Sequence, residues 1–211
     1  MSTSISSPDT AKAAKPRGRP PAFDHDQALE QAMRVFWAHG YEGASMAELT
    51  AAMGINKPSL YGAFGSKEEL FRKAVQHYLA GPAAFVAAAL QQPSARQAVE
   101  QLLTRAASFL ADPGHPPGCL VIQGALACGT GAAIIKQELA AARQSFEAAL
   151  CRRLEQARAE RELPPDADPA ALAKLVATVH QGMSVQAVSG ATQAELTAVV
   201  QAVMAGWPTG R

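Results

Sequence analysis

Cysteine is scarce in this sequence and is not arranged to staple a fold. Cys119, Cys128 and Cys151 form no CxxC pair, and three is an odd count. That pattern does not suit a disulfide framework and points to a reducing compartment, the cytoplasm. Charge is thin as well, at 18% of residues, and nearly balanced at +1, so overall charge selects no polyanionic partner. Runs of β-branched residues are few, strand alternation is missing and no segment repeats, which leaves an all-α fold. The N-terminus lacks an apolar signal stretch. One uncharged run, Gly118 to Ile135, has span length, but it carries four glycines, Gln123 and Thr130. It reads as a buried helix plus a turn, and no membrane partner is expected.

Catalytic signatures are missing too. There is no G-x-S-x-G and no P-loop. Gly129-Thr130-Gly131 lacks the third glycine and the preceding strand of a dinucleotide loop. His25, His39, His77, His115 and His180 show no metal-ligand spacing. No cofactor and no metal is expected, and an enzyme is the remote alternative.

What is present is helix-forming material. Hydrophobic residues make up 48% of the chain and alanine is abundant, enough for a sizeable helical core. Residues 1–22 form a flexible basic arm: Lys12, Lys15, Arg17 and Arg19 against Asp9 give +3, which leaves −2 for the remainder. Asp24 or Asp26 caps a first helix with the stripe Leu29, Ala32, Met33 and Phe36, and Gly40 ends it. Ser45 caps a second helix, with Glu48 completing a capping box and Met46, Leu49, Ala52 and Met53 facing inward. Gly54 closes it, and Ile55 pins the turn. Asn56 caps a third helix with Pro58 in its first turn and Leu60 and Phe64 inward. Ser66 and Glu69 open a fourth helix, which Gly81-Pro82 breaks before more helix to about Leu90. Further helices fall near 94–111, 119–128, 132–161, 169–189 and 192–206.

Two short capped helices across Gly54-Ile55 make a helix-turn-helix. Its second helix presents Lys57, Ser59, Tyr61 and Gly62, a cation, hydroxyls and a small residue that suit the major groove of double-stranded DNA. Lys57 suits a guanine edge or a phosphate, and Tyr61 a phosphate. Ser45 and Lys67 sit at the N-termini of the neighbouring helices, where free N–H groups attract phosphates.

Gly40-Tyr41, Ser45-Met46-Ala47-Glu48-Leu49, Met53-Gly54-Ile55-Asn56-Lys57, Ser59-Leu60-Tyr61 and Phe64-Gly65-Ser66-Lys67-Glu68-Glu69-Leu70-Phe71 resemble the TetR family of bacterial repressors over residues 24–73. The resemblance implies a homodimer of about nine helices per chain that reads a palindromic operator. It implies a cavity in each helical body and release of DNA when a small-molecule effector enters. The organisation expected is an arm over 1–22, a three-helix DNA-binding head over 23–66 and a ligand-binding and dimerisation body over 67–211. One departure stands out: Gly62-Ala63 replace the aromatic or histidine that the family often carries after the tyrosine.

Arg17-Gly18-Arg19-Pro20 has the core of an AT-hook, so Arg17 and Arg19 are expected in the minor groove. From Leu175 to Ala194 no residue is charged. Leu175, Val179 and Met183, with Val199 and Val203 of the next helix, are therefore expected at a four-helix dimer interface. Phe85, Phe109, Cys119, Ile122 and Gln123 lie on helices that would enclose the family's cavity. Cys119 follows Gly118 near a helix N-terminus, where a thiol's pKa can fall. A thiol-based redox or electrophile sensor is thus an alternative to reversible ligand binding.

Overall fold

The computed structural model describes residues 23–126 and 132–210. Arg17, Arg19, Cys128 and the Gly129-Thr130-Gly131 turn lie outside the described residues. The helices are α1 (His25–Gly43), α2 (Met46–Met53), α3 (Lys57–Phe64), α4 (Lys67–Ala80), α5 (Phe85–Ala89), α6 (Ala95–Leu110), α7 (Leu120–Leu126), α8 (Ala133–Ala159), α9 (Pro169–Val188) and α10 (Gln193–Ala205). Among the described residues these are ten helical segments, nine of them longer than a single turn. α5 is a single turn, separated from α4 at Gly81-Pro82 because proline cannot continue the ladder. No strand occurs among the described residues.

Local chemistry sets the boundaries. The Asp24 carboxylate accepts from the N–H groups of Asp26 and Gln27 and starts α1. Gly40 interrupts that helix at φ 71°, a backbone state that only glycine adopts freely. Ser45 and Glu48 exchange both bonds of a capping box, and so do Ser66 and Glu69. A third box, Thr192 with Glu195, opens α10. Each satisfied N-cap contributes about 1 kcal/mol.

Packing joins the head to the body. α1 lies against α2, α4 and α7, and α7 runs through the middle, touching α4, α8 and α9. Phe36, Tyr41 and Phe71 form an aromatic cluster there, with Phe71 edge-on to both partners at 5.0 and 5.3 Å. α6 packs on α5, α9 and α10, and α8 lies along α9. Among the described residues no helix is long and apolar enough to cross a membrane.

Two expectations about side-chain direction are corrected. Ala52 faces outward, because the short α2 buries only Leu49 and Met53. Met183 is 2% exposed and belongs to the protomer's own core. α9 is apolar on more than one face, so composition alone could not tell its inward from its outward side. The outward side carries Leu175 at 47% exposure, with Val185 and Val188; Val199 of α10 is 43% exposed. Val179 and Val203 are half-buried beside them.

Candidate nucleic-acid interface and ligand cavity

The interface begins with the turn between α2 and α3. Gly54 takes φ 66° and accepts the left-handed geometry that ends α2, while Ile55 tucks its side chain against the core. The Asn56 side chain accepts from Ser59 N–H at 2.9 Å and fixes the start of α3. Leu60 and Phe64 are buried, which turns Lys57 and Tyr61 outward; Tyr61 is 50% exposed. Ser59 is half-buried on the flank. A Cβ placed on Gly62 would have nothing within 4 Å, so neither packing nor backbone geometry inside the protomer calls for glycine there. Its absence of a side chain opens a shallow groove shared with Gly54, Ser59 and Ala63.

Ser45 and Lys67 flank this surface but have local duties. The Ser45 hydroxyl accepts from Glu48 N–H, and the returning hydrogen bonds hold the Glu48 carboxyl below its usual range. Lys67 lays its ammonium over the Tyr41 ring, 4.7 Å from the centroid. Burial there pulls Lys67 below the ordinary lysine value, with Glu68 and Glu42 acting the other way.

The body holds a cavity of about 90 Å³ among α4, α5, α6, α7, α8 and α9. Four of the five expected residues line it: Phe85, Phe109, Cys119 and Ile122. Gln123 does not. Its amide points to α9, where it donates to the carbonyl and hydroxyl of Ser184 at 3.4 Å. The sequence reading missed Tyr78, Arg143, Phe146 and His180 on the wall. Nothing local marks them, since they come from three helices far apart in the chain.

The expectation for the Cys119 thiol is also corrected. The Tyr78 hydroxyl and the N–H groups of Ile122 and Val121 favour its thiolate, but burial outweighs them and pushes the thiol up. Full desolvation wins over a helix N-terminus, so the resting sulfur stays protonated.

A single layer of side chains separates this cavity from the head. Trp37 of α1 packs 4.9 Å from Tyr78 and 5.5 Å from Phe109, both wall residues. It stacks on His115 at 4.4 Å and donates its indole N–H to the Gly118 carbonyl at 3.2 Å. Arg34, one turn earlier, donates to the Gly114 carbonyl at 3.0 Å. The loop between α6 and α7 is thereby fastened to the helix on which the DNA-reading unit is built.

His180 leaves a measurable signature. Burial alone pushes its imidazole down to about 4 from the ordinary 6.5. Below pH 6.5 the unfolded chain takes up a proton that the folded chain refuses until about pH 4. Stability is therefore expected to fall with pH across that window, by about 3 kcal/mol in total. Urea unfolding of wild type and His180→Phe at stepped pH checks this: the variant should lose that share of the slope, and equal slopes would reject it.

Comparison with known proteins agrees with this geometry. Residues 28–74 match the family model for bacterial regulatory proteins of the tetR family. Residues 95–203 match the model for a tetracyclin repressor-like C-terminal domain. The chain is 34% identical over 196 residues to the HTH-type transcriptional repressor ComR of Escherichia coli K12, covering 92% of this chain and 93% of that one. Among solved structures it resembles a cysteine mutant of the TetR family transcriptional regulator CifR, complexed with 26-base-pair double-strand operator DNA. The TM-score is 0.87 and the identity 42%, over 90% of this chain and 100% of that one. A TetR transcriptional regulator from Rhodococcus sp. RHA1 is 38% identical at a TM-score of 0.60, over 89% and 100% of the two chains. The chain belongs to the TetR family and is a DNA-binding transcriptional regulator, not an enzyme.

Proposed function

We propose that this protein is a cytoplasmic repressor that binds a palindromic operator as a homodimer and leaves it when a small molecule occupies the cavity. The observation that carries the reading is the outward face of α3, exposed opposite the buried Leu60 and Phe64. Lys57, Ser59 and Tyr61 are the reading and anchoring groups, and Gly62 allows the helix backbone close approach to the bases. Ser45 and Lys67 serve phosphates at the N-termini of α2 and α4. Arg17 and Arg19 of the arm serve the minor groove. The head is taken as 23–66, preceded by the arm over 1–22, and the body as 67–211. CifR, the relative solved with operator DNA, supports the duplex partner.

Occupation of the cavity would press on Tyr78 and Phe109, and through them on Trp37 and α1. That contact chain gives the effector a physical path to the spacing of the two heads. Phe85, Cys119 and Ile122 complete the apolar wall against which the effector packs.

Selection of bound duplexes from a random pool tests the reading, and a palindrome should be recovered. Against that site Lys57→Ala is expected to lose about tenfold to hundredfold in affinity, the range for one good base or phosphate contact. Its thermal unfolding should match wild type, because Lys57 is exposed. Undiminished affinity in Lys57→Ala would remove α3 from the reading role.

A further inference from the structure

Among the described residues, His180 is the buried polar side chain on the cavity wall that has no hydrogen bond. His180 is 8% exposed, and its ring lies on the cavity wall against Phe146, 5.4 Å between centroids. Burial is the sole influence on its imidazole, with no hydrogen bond or charge acting on it. Buried polar groups in folded proteins are nearly always hydrogen-bonded, and leaving one unmet is costly. Gln181, also on the wall, is half-buried, and the two remaining polar side chains there each have a hydrogen bond. The Tyr78 hydroxyl is hydrogen-bonded to Cys119, and an Arg143 nitrogen donates to the Val121 carbonyl at 3.4 Å.

We propose that the effector is a small uncharged oxygen compound, a ketone or alcohol, whose single oxygen hydrogen-bonds the His180 imidazole while its hydrocarbon part lies against Phe85, Phe109 and Phe146. This rests on the reading of the cavity as the effector site. Size follows from the 90 Å³ volume, smaller than the roughly 150 Å³ that holds a benzene ring, so the occupant is smaller than a six-membered ring. Neutrality follows from the walls. A carboxylate among these phenyl rings would lose its hydration, a cost that only pairing with the remaining donors of Arg143 could offset, and a propionate titration reads that pairing. A neutral imidazole, by contrast, offers one donor and one acceptor and meets a carbonyl or hydroxyl equally well.

The test uses the full-length protein and three probes of matched size: butanone, pentane and propionate. Each is titrated while the imidazole nitrogens of histidine-labelled protein are followed by NMR. Butanone should bind at least tenfold tighter than either of the others and shift the His180 nitrogens. In His180→Phe the advantage over pentane should vanish while pentane still binds. Should that variant not fold, the wild-type nitrogen shifts decide alone. Tighter binding of propionate, an advantage of butanone that survives His180→Phe, or no binding by any probe would overturn the assignment. Operator release is read separately by fluorescence anisotropy. Butanone bound at His180 with the operator still held would refute the effector reading and leave the His180 assignment standing.

Discussion

Gly118→Ala is expected to lower the unfolding free energy by about 3 kcal/mol and to loosen the head from the body. Two costs combine. Gly118 sits at φ 80°, where an L side chain is strained by about 1–2 kcal/mol. Its added Cβ would also lie 2.8 Å from Val188 Cγ2 and 3.0 Å from the Ser184 carbonyl oxygen. The valine tip can turn away, but the carbonyl belongs to the backbone of α9 and cannot, so overpacking adds about 1–3 kcal/mol. The same residue's carbonyl holds the Trp37 indole, so any shift of this turn moves the bond that ties α1 to the cavity wall. Denaturant unfolding gives the magnitude, and Trp37 fluorescence in a Trp207→Phe background reports the loosened contact. A variant within about 0.5 kcal/mol of wild type, the range of a neutral surface change, would show that the turn is not tightly packed.

The head was largely legible in the sequence because its rules are local. Ser45 with Glu48, Asn56 before Pro58, and Ser66 with Glu69 each solve the problem of free N–H groups within four residues, and the structure contains all three caps. The cavity was legible only in part. Phe85, Phe109, Cys119 and Ile122 line it as expected, whereas Arg143 and His180 reach it from helices whose packing no nearby residue announces. Gln123 is one position from a wall residue, but the helix turns its amide toward Ser184. Cys119 illustrates a contest of magnitudes. Its helix N-terminus was visible in the sequence, while the complete burial that outweighs it depends on Tyr78 and α9, far away in the chain.

Charging the outward apolar face of α9 and α10 should have the largest effect of all. The Leu175→Asp, Val199→Asp pair is expected to weaken binding to a palindromic operator about 100-fold or more, because a second head delivered by the first contributes through effective concentration and not through new contacts. Both side chains are nearly half exposed in the protomer, so the substitutions leave its own core intact. Gly182, on the same helix as Leu175, is compatible with a partner there. Glycine inside a helix costs about 1 kcal/mol relative to alanine, yet a Cβ at this position would meet nothing within 4 Å in the protomer. The missing side chain leaves room there, and an uncharged face of Leu175, Gly182 and Val185 suits the close approach of a second helix. Sedimentation equilibrium should show a dimer for wild type and a monomer for the double variant. Circular dichroism should show the helices retained. A double variant that still sediments as a dimer would move the interface elsewhere, and a monomer that holds the operator as tightly as wild type would end the two-headed reading.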